Sequence, residues 1–227
     1  MPLKKLGKKR GYKSQTTEIN SIMKKNLKYA FRITHIDNIP HIVCNGIVKA
    51  VSQLRYEHYV SIGDKQIIRL RSEMVVKGYK ISDYIPFYLG PRSPMLYVIQ
   101  HGYNGVQRIE PENIVYCIIR IDDLVASDVE CVFTDGHAMS NLTLFYTKDY
   151  LPKINNIVKY EDVYSSQWNS ETDIDLKRRK EAELLVKNDL PSQFLRGFVV
   201  YNNDAKQRLI DMGVAENMIA VAPGYYF

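Results

Sequence analysis

The chain has 227 residues, of which 45% are hydrophobic and 25% are charged, so it is long enough to bury one sizeable core. No apolar run reaches the length that crosses a bilayer, and the first residues lack the apolar segment of a signal peptide. We therefore exclude an integral membrane protein and expect a cytoplasmic one. The net charge of +6 favours an anionic partner, of which nucleic acid is the commonest.

The cysteines are odd in number and lie in apolar contexts without metal-ligand spacing. We interpret Cys44, Cys117 and Cys131 as small buried core residues in a reducing compartment, and we expect no metal site. The sequence also contains no glycine-rich phosphate loop, nucleophile elbow or metal-binding helix motif.

The N-terminal segment is strongly basic. Residues 1–15 are rich in lysine and arginine and have almost no apolar side chains, so we expect a mobile arm. Such an arm either follows phosphates or is only a solvated terminus. A short helix is predicted from Thr16 to Lys25. Residues 16–227 are interpreted as one domain.

An alternating run from Tyr29 to His35 predicts the first strand. A helix follows that begins near Pro40 and ends at Gly46. His35 lies at the end of the strand, where side chains often point into a site. A lone histidine is nevertheless more often structural, so this position carries little weight by itself.

The stretch from Asp83 to Tyr97 contains three tyrosines, three prolines and an arginine. Because each proline fixes φ and removes a backbone donor, we predict a strand, a turn through Gly90 and a helix from Pro94. The side chains that this turn brings together are Tyr88, Arg92 and Met95. They form either a buried aromatic corner or a surface for a flat heterocycle or a phosphate.

A nearly continuous apolar run from Asn113 to Ile121 predicts a central strand that is buried on both faces. A second strand, from Glu130 to Thr134, leads into a turn that carries His137. Further strands are predicted at 197–201 and 218–221, with a helix between them. The strands interleave with short helices without a strict βαβ rhythm, which predicts the α+β class.

From Asp173 to Val186 the pattern predicts a helix. Its basic run consists of Lys177, Arg178, Arg179 and Lys180, and Glu183 follows shortly after. These cations either pair with carboxylates on a solvated helix, for instance Arg179 with Glu183, or hold an anion. A carboxylate just beyond four cations is expected to stay ionised.

Four segments occur in a fixed order: Ile33–Pro40, Asp83–Tyr97, Val132–Ala138 and Lys180–Val186. Together they resemble the DarT family of DNA ADP-ribosyltransferase toxins. The resemblance runs from about Tyr29 to the end of the chain and does not include the basic arm. It implies an ADP-ribosyltransferase-like fold with two small facing β-sheets, an NAD+ cleft between them and surrounding helices.

The same resemblance implies an activity and its partners. The chain would transfer ADP-ribose from NAD+ to a base of single-stranded DNA, with thymidine as the expected base and guanosine as the other option in the family. A macrodomain antitoxin of the DarG type would be a partner, and a membrane would not. Two alternatives are a non-catalytic nucleic-acid-binding module and an ADP-ribosyltransferase that acts on RNA or protein.

The resemblance also implies roles for individual residues. Glu183 would be the catalytic glutamate, because a fixed carboxylate stabilises positive charge that develops on the ribose. Arg71 and His137 would assist it, although Arg69 is an alternative to Arg71 because the segment before Tyr84 is short. The residues expected to bind NAD+ are Thr34, His35, Asn38, Arg71 and Tyr88. The residues expected to contact DNA are Arg92, Met95, Lys177, Arg178, Arg179 and Lys180.

Overall fold

The computed structural model describes residues 25–76 and 78–227. The basic arm at 1–15 lies outside this part of the chain, as does the helix predicted from Thr16 except for its last residue. No helix among the described residues is long and apolar enough to cross a membrane.

The described strands are β1 (Tyr29–His35), β2 (Val75–Val76), β3 (Tyr79–Lys80), β4 (Tyr84–Tyr88), β5 (Ile114–Arg120), β6 (Cys131–Thr134), β7 (Phe145–Thr147), β8 (Glu183–Lys187), β9 (Leu195–Val200) and β10 (Ile219–Val221). The helices are α1 (Ile39–Asn45), α2 (Lys65–Glu73), α3 (Pro94–His101), α4 (Ile121–Val125), α5 (Ile154–Ile157), α6 (Tyr160–Val163), α7 (Leu176–Lys180) and α8 (Asn203–Asp211). This mixture confirms the α+β class, and β1, β4, β5 and α3 begin or end close to their predicted positions.

Eight strands form one sheet in the order β10-β9-β5-β1-β4-β8-β6-β7, and β2 pairs only with β3. The two four-stranded halves of the large sheet meet at a single residue pair, Phe31 of β1 and Tyr88 of β4. Pro86 brings no amide hydrogen to this junction. The Arg32 guanidinium donates to the Pro86 carbonyl oxygen there, at 3.1 Å. The structure therefore has one large sheet where two facing sheets were expected. Among the described residues, the two halves of this sheet are joined only by the residue pair Phe31–Tyr88 in the strand register, and the expected two sheets would separate at that place.

The predicted helix from Asp173 to Val186 is wrong in its second half. Helix α7 ends at Lys180, and Glu183 is the first residue of strand β8. Strand β8 lies between β4 and β6 and is antiparallel to both. Its residues Leu184 to Val186 are fully buried. Strands flank them on both sides, and apolar clusters pack on both faces of the sheet. Burial on both faces suits a continuous apolar strand better than a surface helix.

The core lies on both faces of the sheet. Successive residues of a strand point to opposite faces, so Phe87 and Leu184 join the largest apolar cluster on one face. Phe31 belongs to a second cluster on the opposite face, and Leu185 belongs to a third. Tyr88 stands opposite both Phe31 and Glu183 in the strand register. This register places Tyr88 and Glu183 between the two smaller clusters.

Two of the three cysteines lie in the core as expected. Cys117 and Cys131 are buried, and burial raises the pKa of each thiol, to about 12 for Cys117 and about 11 for Cys131. The prediction is wrong for Cys44, which is exposed near the end of α1.

Gly90 lies in the turn between β4 and α3, and a side chain there would meet the backbone of α6. A Cβ on Gly90 would overlap the carbonyl oxygen of Val163. The same oxygen accepts a hydrogen bond from the buried Lys180 ammonium at 2.9 Å. We therefore expect Gly90→Ala to lower the free energy of unfolding by roughly 1–3 kcal/mol, measured by chemical denaturation.

Gly224→Ala is the matched control, since a Cβ at Gly224 meets nothing within 4 Å. Equal stability of the two variants would contradict the tight approach of this turn to α6.

Candidate active site

A buried ion pair lies at the centre of the face that carries Tyr88. Glu183 has a side chain only 2% exposed, and Arg71 of α2 reaches it from outside the sheet with a side chain 15% exposed. The Arg71 guanidinium donates to both carboxylate oxygens, Nη1 to Oε1 at 3.1 Å and Nη2 to Oε2 at 2.8 Å. This bidentate geometry fixes the plane of the carboxylate. Of the two candidate arginines, Arg71 is therefore the one that contacts Glu183. Arg69 lies two residues earlier on the same helix and is exposed.

Glu183 is held in its ionised form although it is buried. Burial by itself raises the pKa of this carboxyl, but the charge and hydrogen bonds of Arg71 outweigh burial and lower the pKa overall. The backbone amide of Ala138 adds a third hydrogen bond, donating to Oε1 at 3.1 Å. The result is a carboxylate that is negative at neutral pH and shielded from water.

The loop after β6 supports this carboxylate through its backbone. The Glu183 amide donates to Thr134 Oγ1 at 2.9 Å, and the Thr134 hydroxyl donates to the Gly136 carbonyl oxygen at 2.6 Å. These bonds fasten the start of β8 to the turn whose Ala138 amide contacts the carboxylate. Sequence reasoning missed Ala138 because its contribution comes from the backbone, which no residue type reveals.

His137 lies in the same turn, half-buried. Burial lowers the pKa of its imidazole, the nearby Glu183 carboxylate opposes that shift, and Arg71 adds to it. The histidine is therefore mainly neutral at pH 7 and can accept a proton or a hydrogen bond. Its backbone is held on both sides, since its amide donates to the Arg178 carbonyl oxygen at 2.8 Å. Its own carbonyl oxygen accepts from the Thr143 hydroxyl, also at 2.8 Å.

The residues predicted at the end of β1 divide into two groups. Alternation along the strand places His35 on the same face as Phe31, the face that also carries Glu183. Thr34 points to the other face and is buried, with its hydroxyl accepting from Asn38 Nδ2 at 3.0 Å. Asn38 also exchanges two hydrogen bonds with the backbone of Val60. Thr34 and Asn38 therefore fasten the segment around Val60, and their polar atoms are occupied by the protein itself.

The turn from Tyr88 to Met95 has the predicted form. Burial raises the pKa of the Tyr88 hydroxyl, and the nearby Glu183 carboxylate raises it further, so this phenol stays neutral. Arg92 has a positive φ of 54°, and its amide donates to the Tyr116 hydroxyl at 3.2 Å. Its guanidinium carbon lies 4.6 Å from the centre of the Phe227 ring. Met95 is partly buried and packs against the cluster that contains Phe31.

Of the two interpretations of the basic run before Glu183, the structure shows the pairing with carboxylates at Arg178 and Arg179. Arg178 pairs with Asp135 and Asp175, and Arg179 pairs with Asp162, Asp173 and the shared Asp175. Lys180 is 2% exposed and donates to the carbonyl oxygens of Pro91 and Val163. These contacts are structural, because each neutralises or buries a cation within the fold. The expected contact of Arg178, Arg179 and Lys180 with DNA stays a prediction, for side chains that the fold already engages.

Two titratable groups next to Glu183 have unusual pKa values. Burial and, to a smaller extent, the nearby Arg92 lower the pKa of the Lys180 ammonium to about 8. Burial also raises the pKa of the Glu181 carboxyl to about 7, against the effect of Lys177. Neither shift was foreseen from the sequence, since both arise from tertiary burial. Among the described residues no group of three or more histidines, cysteines or carboxylates could hold a metal ion.

Comparison with known proteins places this geometry in a family. Residues 31–227 match the family model described as ssDNA thymidine ADP-ribosyltransferase, DarT. The DNA ADP-ribosyl transferase of Escherichia coli O127:H6 is 31% identical over 206 residues, which cover 87% of this chain and 92% of that protein. A fusion protein of Thermosipho africanus, named DNA ADP-ribosyl transferase-DNA ADP-ribosyl glycohydrolase, is 26% identical over 79% of this chain and 44% of its own length.

Solved structures show the same fold. The Thermus sp. 2.9 DarT in complex with ADP-ribosylated ssDNA superposes with a TM-score of 0.73 at 24% identity, covering 90% of this chain and 98% of that one. The complex of the same Thermus protein with NAD+ gives a TM-score of 0.70 at 23% identity over 90% and 100% of the two chains. The expected ADP-ribosyltransferase-like fold is therefore confirmed.

The ion pair predicts how stability depends on pH. The pKa of Glu183 is lowered in the folded protein, so the pair stabilises the fold above the unfolded pKa of about 4.3 and this gain is lost as pH falls through the folded value. Arg71→Met leaves a buried carboxylate unpaired, whose pKa is then raised. We expect this variant to lose roughly 3 kcal/mol of unfolding free energy at pH 7 and much less at pH 4, measured by urea denaturation.

Arg69→Met on the same helix is the control, and it should leave stability nearly unchanged at both pH values. A loss in Arg71→Met that is the same at pH 4 and pH 7 would show that packing, and not the charge of Glu183, carries the effect.

Proposed function

Because the chain belongs to the DarT family of single-stranded DNA thymidine ADP-ribosyltransferases, we propose that it transfers ADP-ribose from NAD+ to a thymidine base of single-stranded DNA and releases nicotinamide. The observation that carries the proposal is the buried, ionised Glu183, which Arg71 and the Ala138 amide hold in one orientation. A negative group of this kind stabilises a positive charge that develops next to it.

The chemistry requires such a charge. When the bond between nicotinamide and the ribose carbon breaks, its electron pair leaves with nicotinamide and positive charge develops on the ribose. Glu183 lies in a water-poor environment, where its attraction for that charge is stronger than in solution. The ring nitrogen of the base then supplies the electron pair for the new bond and loses its proton to a nearby acceptor.

Arg71 and His137 complete the reacting centre in this proposal. Arg71 keeps the Glu183 carboxylate ionised and adds a positive charge suited to the phosphates of NAD+ or to the reacting base. His137 is neutral at pH 7 and lies in the turn that contacts Glu183, so it is suited to orient the target base. His35 and Tyr88 share the face of Glu183 and are proposed to contact NAD+.

The DNA is proposed to enter along the turn that contains Arg92 and Met95. A single strand fits this chemistry, because the reacting nitrogen lies on the Watson–Crick edge and exposing it in a duplex costs a few kcal/mol. Of the basic run, Lys177 remains the candidate for a phosphate contact. Asp135 and Asp175 already engage Arg178, and buried contacts engage Lys180.

The partner proposal rests on the relatives. The Thermosipho africanus protein joins a DNA ADP-ribosyl transferase to a DNA ADP-ribosyl glycohydrolase in one chain. We propose that a separate or fused macrodomain of the DarG type reverses the modification made by this chain. Both the toxin and its DNA would then be in the bacterial cytoplasm.

Glu183→Gln should abolish the reaction. Incubation of the wild type with NAD+ and single-base oligonucleotides should give a mass increase of one ADP-ribose on oligothymidine. We expect Glu183→Gln to reduce the initial rate by at least about 100-fold, because the charge that stabilises the ribose is lost while the shape is kept. The measurement is mass spectrometry of the oligonucleotide over time.

Glu110→Gln is the control, because Glu110 is exposed and pairs with Arg108 on the surface. Modification of oligothymidine by Glu183→Gln at the wild-type rate would refute the assignment. Modification of RNA or protein in place of DNA, tested in parallel with labelled NAD+, would refute the substrate class.

A further inference from the structure

A chain of aromatic rings leads away from the turn that carries Arg92. Tyr97 of α3 contacts four other rings, with centroid separations of 4.1 Å to His101, 5.6 Å to Tyr103, 5.7 Å to Trp168 and 5.1 Å to Phe227. His101 and Tyr103 stack almost in parallel at 5.3 Å and 9°. We call Tyr97, His101, Tyr103 and Trp168 the aromatic platform.

The aromatic platform is not part of the core. Tyr103 is 48% exposed, His101 is exposed, and Tyr97 and Trp168 are partly exposed. Large apolar rings at a surface are costly to hydrate, so a cluster of them in mutual contact marks a binding surface more often than a packing feature. Phe227 packs against two of these rings, Tyr97 and Trp168, and so helps to hold them in place.

The platform is continuous with the reacting centre through Arg92. The Arg92 guanidinium lies over the Phe227 ring at 4.6 Å. The preceding residue, Pro91, accepts a hydrogen bond from Lys180, which lies three residues before Glu183. Rings on one side and the catalytic carboxylate on the other are therefore joined by a single short turn.

Arg92 is a cation without a carboxylate. Within residues 25–76 and 78–227 it forms no ion pair, and its buried Nε has no hydrogen-bond partner there. The other arginine near the site, Arg71, is paired with Glu183, and Arg178 is paired with aspartates. An unpaired arginine beside exposed rings matches a ligand that has both flat faces and negative charge.

Unpaired nucleotides have this combination. Every base offers a face that stacks on an aromatic ring, and each phosphate offers an acceptor for a guanidinium. Paired bases in a duplex cannot expose their faces in this way. Aliphatic peptides would use the rings but would leave the arginine unmatched.

We propose that the aromatic platform stacks unpaired bases that flank the target base in single-stranded DNA, with Arg92 on the adjoining phosphate. This inference rests on the proposed function and extends it from the reacting base to its neighbours. It assigns substrate binding to residues that the transfer chemistry itself does not use.

The chain offers a direct probe, because Trp168 is its only tryptophan. In the Glu183→Gln variant, which should bind without transfer, titration with oligothymidine is expected to quench the Trp168 fluorescence. The same sequence in a duplex is expected to leave the fluorescence unchanged. Absence of quenching, or equal quenching by the duplex, would overturn the platform, whether or not the wild type modifies DNA.

A kinetic test separates this proposal from the proposed function. Tyr103→Ala removes an exposed ring and should raise the KM for a long oligonucleotide by roughly tenfold, as expected for the loss of one stacked base. Its kcat and its KM for NAD+ should change little. Tyr103→Phe should restore the wild-type KM.

Tyr150→Ala is the matched control, since Tyr150 is 50% exposed at another part of the surface. A KM for Tyr103→Ala equal to that of the wild type would overturn the platform and leave the transfer activity intact. A wild type that modifies no oligonucleotide would overturn the proposed function. The fluorescence titration would still show whether the aromatic platform binds single-stranded DNA.

Discussion

The buried pair of Arg71 and Glu183 is the interaction on which the rest of the site depends. A carboxylate with a side chain 2% exposed would ordinarily take up a proton, because burial penalises its charge. Two hydrogen bonds from one guanidinium and one from a backbone amide keep it ionised. The fold therefore holds a fixed negative charge next to Tyr88, at the junction of the two halves of the large sheet. Such a pair is weak evidence for stability by itself, since its desolvation offsets its attraction. The value that we propose for it is functional.

The surroundings of the pair follow from this requirement. The start of β8 is fastened to the turn after β6 by Thr134, so that the Ala138 amide meets the carboxylate. Arg178 in turn joins that turn to α7 through Asp135 and through its own carbonyl oxygen. Arg178 and Lys180 thus hold the segments around Glu183 in place. Arg92 has no carboxylate partner among the described residues and lies over Phe227, the ring that contacts Tyr97 and Trp168 of the aromatic platform.

Much of the fold is predictable from local patterns, and the family resemblance singles out Glu183, the carboxylate that the structure pairs with Arg71. Strand β5 and the turn before α3 followed from β-branched and proline patterns that depend on the residues themselves. The run from Leu184 to Val186 was assigned to a helix because a short apolar segment has the same composition in a buried strand and in a helix. Part of the neutralisation of Arg178 and Arg179 comes from Asp135 and Asp162, which lie more than a dozen residues away. No local pattern can reveal such partners.

The pKa of the Glu183 carboxyl, followed by ¹³C NMR in the free protein and assigned with Glu183→Gln, tests the central claim most directly. The Arg71 pair predicts a pKa below the ordinary value of about 4.3, in contrast to Glu181, for which burial raises the pKa to about 7. A Glu183 pKa above the ordinary value would contradict a permanently ionised carboxylate at this site, and with it the proposed stabilisation of charge on the ribose.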